Sequence, residues 1–112
     1  MKRSQLGEFE EVVLLAVGIL YNAAYGISIK KEIEARLNRT VSVGALQTAL
    51  KRLEQKGYLK SREGEGTPER AGRPKKYFEI TAHGKKALEK VRDVRNGMWN
   101  DIPGMALDLK VS

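Results

Sequence analysis

The side chains able to do chemistry are few, and their kinds exclude most of it. There is no cysteine and a single histidine, His83, so disulfides, thiol catalysis, zinc-finger ligation and a transition-metal site are not expected. A Ser/His/Asp set could be assembled only around His83, which the local pattern places as a solvated residue in the first turn of a helix. The glycines of Gly64-Glu65-Gly66 fall between two strand-like runs rather than at a strand-to-helix turn that would cradle phosphate. No enzyme, metal or cofactor is expected. What remains is charge: 21 Lys+Arg against 14 Asp+Glu give +7 over 112 residues. A basic domain of this size suits a polyanion, either nucleic acid or an anionic membrane surface.

That charge is concentrated. Between Asn38 and Lys76 ten basic residues stand against four acidic ones, so six of the seven net charges fall there. At about 100° per residue, the helix expected from Val43 to Lys56 turns Val43, Leu46, Leu50 and Leu53 to one side and Gly44, Thr48, Lys51, Arg52 and Gln55 to the other. The polar side has the chemistry of a DNA-reading face. Ser42 caps the helix, and Gly44 lets its N-terminus, which favours phosphate, come close. Thr48 can bond a base edge or a phosphate, Lys51 and Arg52 suit guanine or phosphate, and Gln55 suits adenine. Downstream, Arg62, Arg70, Arg73, Lys75 and Lys76 sit on or around a hairpin and would meet the backbone or minor groove.

The elements that position these residues follow from periodicity. Leu6, Phe9, Val13, Ala16, Val17 and Leu20 predict a first helix over about Ser4 to Leu20, with Ser4 as cap. Its apolar run from Val12 to Leu20 is too short to span a bilayer and lacks a signal-peptide cleavage site. A soluble, cytoplasmic protein with no membrane partner is therefore expected. A second helix is predicted from about Tyr25 to Leu37, with Tyr25 plugging the junction, although its hydroxyl could reach a phosphate. Asn38-Arg39-Thr40-Val41 ends it, and Gly57 closes the third helix. Tyr58 to Glu63 and Lys75 to Ile80 read as strands joined by the loop Gly64 to Pro74, with Tyr77 and Phe78 packing rather than stacking on bases. Thr81 caps a last helix, about Ala82 to Asn100, weakened near its end by Gly97 and stopped by Pro103-Gly104. The tail from Met105 to Ser112 has no strong pattern.

The predicted fold is mainly α with a small β-hairpin: a winged helix-turn-helix of three helices, a two-stranded wing and a C-terminal dimerisation helix. Residues 1–81 would form the DNA-binding domain, and 82–112 the dimerisation helix and tail. The stripe Leu88, Val91, Val94, Met98, Trp99 and Ile102 is expected to form the dimer seam, because a last helix leaving a winged-helix body has little core left to cover.

Several segments together resemble the N-terminal domain of PadR-type transcriptional regulators. They are Tyr25-Gly26, Val41-Ser42-Val43-Gly44-Ala45-Leu46, Leu50 to Leu59 (LKRLEQKGYL), and Arg70 to Gly84 (RAGRPKKYFEITAHG). The resemblance runs from about Leu6 to Leu88. It implies a winged-helix repressor, dimeric through its C-terminal helix and sometimes released by a small ligand. The chain departs from that pattern at Gln47, where an aromatic often stands, and it resembles the short subfamily with one terminal helix. In some short members a tryptophan near Trp99 lines a cavity between subunits, which makes Trp99 a candidate effector contact beside its seam role. The partners implied are double-stranded DNA, a second copy of the chain and a small-molecule effector. The alternative is a winged-helix module that binds protein or RNA without operator specificity.

Overall fold

The computed structural model describes residues 6–66 and 74–108. Helix α1 runs Glu8–Leu20, followed by a single 3-10 turn at Tyr21–Ala23; α2 is Gly26–Leu37 and α3 Val43–Gln55. Strands β1 (Leu59–Gly66) and β2 (Pro74–Ile80) form the hairpin, and α4 (Ala82–Asp101) and the short α5 (Gly104–Leu107) complete the order. The fold is the expected one, mainly helical with a two-stranded antiparallel wing. No helix among the described residues is long and apolar enough to cross a membrane.

Each junction has a local cause. Helix α1 starts at Glu8 rather than near Ser4, which lies outside the described residues. Gly7 is extended and donates its N–H to the Glu10 carboxylate at 2.9 Å, which fixes the start there. Tyr21 leaves α1 at φ 52°, ψ −112°, a conformation few L-residues adopt. Asn38 ends α2 in the left-handed region (φ 55°), its N–H bonded to the Glu34 carbonyl. Ser42 caps α3 by accepting from the Ala45 amide at 3.0 Å. At the far end Gly57 takes φ 80°, and the Gly57 and Tyr58 amides turn back onto the Glu54 and Leu53 carbonyls.

The core is one cluster in which Val13, Leu14 and Val17 of α1 meet Ile29 and Ile33 of α2 and Leu46, Leu50 and Leu53 of α3, with Tyr58, Leu59 and Phe78 closing the wing side. Val43 does not join it. It is 61% exposed, against the expectation that it lines the inner row. It sits a turn ahead of Leu46, and Ala49 takes the buried arc with Leu46, Leu50 and Leu53.

The hairpin pairs Leu59 with Ile80, Ser61 with Phe78 and Arg62 with Tyr77, with an irregularity between Glu63 and Gly66. A Cβ on Gly64 would overlap the Tyr77 ring, so that face of the wing closes only over a glycine. The Phe78 amide donates to the Ala24 carbonyl at 2.8 Å, and Tyr25 forms a lone bridge with Tyr77, which moors β2 to the α1–α2 link. Helix α4 is capped by Thr81, whose hydroxyl accepts from the Gly84 amide. It passes through Gly97 unbroken to Asp101. Ala87 and Leu88 pack against the core, and Arg95 reaches Glu11 of α1 at 3.1 Å. Beyond Arg95 α4 has no such cover among the described residues: Met98 and Trp99 are exposed, and Val94 is exposed beside Arg95. Of the tail, Gly104–Leu107 forms one exposed helical turn.

Candidate nucleic-acid interface

The outer face of α3 gathers the residues that sequence spacing assigned to it. Gly44, Thr48, Lys51 and Gln55 lie within about 60° of one another, opposite the buried arc, and all are exposed. Arg52, also exposed, stands on the border facing the start of α1, where a shallow groove runs between Gly7, Phe9 and Glu10 on one wall and Gly44, Thr48 and Arg52 on the other. On the opposite border Gln47 lies beside Gly26 of α2. A Cβ on Gly44 would meet nothing within 4 Å among the described residues, so no packing among them calls for glycine there. Ser42 opens the helix at the same end.

The groove rests on an ion pair. Lys56, near the end of α3, places its ammonium 2.6 Å from the Glu10 carboxylate, which also accepts the Gly7 amide. Burial pushes the Glu10 carboxyl up. The Gly7 amide, the Lys56 ammonium and the Arg52 charge outweigh it and hold the group below its ordinary 4.5. Glu34 is likewise lowered, mainly by the Lys30 ammonium at 2.8 Å and then by the Val41 amide.

On the wing the site residues separate. Arg62 is exposed, donates to Glu79 at 3.0 Å and lies 4.8 Å above the Tyr77 ring. Lys76 is exposed and 3.4 Å from Glu54. Lys75 corrects the expectation of an outward contact, because only 7% of it is exposed. It shares a strand face with Tyr77, which packs edge-on to Tyr25, and its ammonium sits 3.6 Å from the Tyr25 ring centre. Tyr25 is thus a packing residue at the junction, as expected. Arg70 and Arg73 lie outside the described residues. His83 is exposed in the first turn of α4 and tilts against the Tyr58 ring. No group of three His, Cys, Asp or Glu suited to a metal occurs among the described residues.

Two residues went unnoticed in the sequence. Leu15 and Ile19, one turn apart on α1, are 46% and 52% exposed. Leu15 borders an apolar groove with Ile80 and Leu88 along α4. The signal was present: eight of the nine residues from Val12 to Leu20 are large and apolar or alanine, on both sides of the helix, more than one buried face can take.

Comparison with known proteins places this architecture. Residues 14–90 match the family described as Transcriptional regulator PadR-like family. Among solved structures, a PadR-like transcription factor from Bacteroides fragilis is 24% identical with a TM-score of 0.67, over 82% of this chain and 84% of that one. A PadR-family transcriptional regulator from Eggerthella lenta is 24% identical with a TM-score of 0.66, over 92% and 88%. A protein from Streptococcus mutans is 25% identical with a TM-score of 0.65, over 90% and 92%. No curated protein sequence matches the chain significantly. With more than half its length matched and the winged helix in place, the chain belongs to the PadR-like family of transcriptional regulators.

Proposed function

We propose that this regulator is a cytoplasmic repressor, without catalytic activity, that reads a palindromic operator as a homodimer. The observation that carries the reading is the outer face of α3. Five polar or small residues, Gly44, Thr48, Lys51, Arg52 and Gln55, stand exposed and contiguous on the helix that a winged domain presents to the major groove. Gly44 supports close approach, since no packing among the described residues needs its missing side chain. On the wing Lys76 stands beside α3 through Glu54 and Arg62 lies on the other face of the hairpin, and the proposed contacts extend to Arg62, Lys76, Ser42, Arg70 and Arg73.

The dimer is formed by residues 82–112. Val94, Met98 and Trp99 of α4 are exposed and offer apolar surface that one copy leaves wet, and Leu15 and Ile19 of α1 are exposed as well. Leu88, Val91 and Ile102, half-buried, extend it. A small-molecule effector would meet Trp99, 64% exposed on that surface.

The test is to sequence the DNA fragments that the purified protein retains from its genome and to titrate the best one. A palindrome with half-sites about one helical turn, ~34 Å, apart is expected. Lys51→Ala should weaken binding without unfolding the protein, and Val91→Asp should give monomers by light scattering. Unchanged affinity for Lys51→Ala and Arg73→Ala together would refute the surface. A dimer surviving Val91→Asp would move the seam elsewhere.

A further inference from the structure

Three of the described wing cations, Lys60, Arg62 and Lys76, are already engaged by carboxylates of the same chain. Glu79 on β2 holds two of them: its Oε2 is 3.0 Å from Arg62 Nε and its Oε1 3.7 Å from Lys60 Nζ. Glu54 on α3 holds a third, with Oε1 3.4 Å from Lys76 Nζ, while its Oε2 accepts the Ser61 hydroxyl at 2.8 Å. The Ser61 bond matters, because it fixes the Glu54 carboxylate between α3 and both strands of the wing. All three cations are about half exposed or more, so water screens these pairs and they add little to folding stability. Their position says more than their strength. A carboxylate offers a cation the same negative oxygens that a backbone phosphate does. A wing held this way must exchange one acceptor for the other before it can bind DNA.

We propose that Glu54 and Glu79 are specificity-determining residues that compete with backbone phosphates for Lys76, Lys60 and Arg62, and so suppress binding to arbitrary sequence. The proposal rests on the DNA-binding reading above. Phosphate attraction is blind to sequence, and it supplies nearly all non-specific affinity. In a complex held by charge alone the wing stays mobile over the duplex, and nothing forces the exchange. Where α3 is seated in the groove, the wing is fixed against the backbone, and each cation trades its carboxylate for a phosphate. The acids therefore tax the non-specific complex more than the specific one.

The experiment measures binding of the full chain to its best retained fragment and to a random-sequence duplex, over a range of salt concentrations, for wild type, Glu54→Gln, Glu79→Gln and Glu63→Gln. Glutamine keeps the shape and the acceptor for Ser61 but releases the cations. Each freed cation should steepen the random-duplex salt slope by about 0.9, so Glu79→Gln should shift it about twice as far as Glu54→Gln. At about 0.15 M salt that slope corresponds to roughly fivefold tighter random-duplex binding per cation. The retained fragment should gain less, so the specificity ratio falls. Glu63 is exposed on β1 with no ion pair among the described residues, and Glu63→Gln should leave the slope unchanged. Unchanged slopes for Glu54→Gln and Glu79→Gln overturn the proposal, as does equal tightening on both duplexes, which is a bare charge effect. Weaker binding to both duplexes also overturns it, because it marks a merely structural role. A wild-type protein that binds neither duplex overturns the DNA-binding reading itself, which separates the two failures.

Discussion

The Glu10–Lys56 pair ties the first helix to the end of α3, and its removal should be felt as stability. Its N–O separation is 2.6 Å, and the carboxylate and ammonium side chains are 9% and 20% exposed. Exposed pairs contribute about 0–1 kcal/mol, whereas removing one partner of a fully buried pair costs about 3–5 kcal/mol. This pair lies between those limits. Lys56→Met strips the buried carboxylate of its cation and leaves the Gly7 amide as its nearest donor, so a loss of about 2 kcal/mol is expected. Glu10→Gln keeps an acceptor for Gly7 and leaves a neutral oxygen beside the Lys56 ammonium, at a cost of about 1 kcal/mol. The double variant should be less destabilised than the sum, with a coupling of about 1 kcal/mol or more. Urea unfolding at fixed protein concentration provides the assay.

The pH dependence gives a second reading of the same pair. Glu10 is held below 4.5 in the folded chain, with the penalty of burial outweighed by the Gly7 amide, Lys56 and Arg52. A depressed carboxyl contributes stability that is complete above the unfolded value and is lost as pH falls through the folded one. The gap between wild type and Lys56→Met should therefore be constant near neutrality and shrink below about pH 4.5. A Lys56→Met protein within about 0.5 kcal/mol of wild type at pH 7, or a gap that persists unchanged in acid, would refute the reasoning.

Other substitutions check other joints of the structure. Gly84→Ala places a Cβ against the backbone carbonyl of Tyr58, which cannot swing aside, and should cost about 1–3 kcal/mol in a thermal melt. A neutral result would mean that α4 is not seated as described. Tyr21→Gly frees a left-handed backbone whose ring is 75% exposed, and should be stabilising by about 0.5–1 kcal/mol; a loss greater than that would show that the ring packs. Lys75→Met removes an ammonium seated over the Tyr25 ring and should cost about 1 kcal/mol while leaving the salt slope of DNA binding unchanged. A shallower slope would place Lys75 on phosphate after all.

The order of elements was legible because each boundary carries its own chemistry. Ser42, Gly57 and Thr81 act in the structure as their types predict, and the polar row of α3 falls where the period of the helix puts it. The misses share a different cause: each depends on what lies across from the residue. Val43 has the right type and spacing for the core, but α3 overhangs the core at its first turn. Lys75 stands in a basic run, yet strand alternation puts it beside Tyr77 and under Tyr25. Leu15 and Ile19 sit in a helix with more apolar surface than one chain covers, and composition alone does not say which residues stay outside. Glu54 lay within the charge count from Asn38 to Lys76 and Glu79 just past its end, but neither was visible as a partner, because their cations are distant along the chain or across a strand.

Thr81 joins four parts of the molecule within one residue. Its amide donates to Tyr58, its hydroxyl donates to the Gly57 carbonyl at 2.6 Å just past α3, its side chain caps α4, and β2 ends immediately before it. Mechanically this is a pivot with a long arm. A helix of 20 residues extends about 30 Å, so a tilt of about 10° at Thr81 moves the far end of α4 by about 5 Å. The same leverage works in reverse. Whatever settles the angle of α4 against its neighbours also settles, through a single threonine, how the end of α3 and the root of the wing are held.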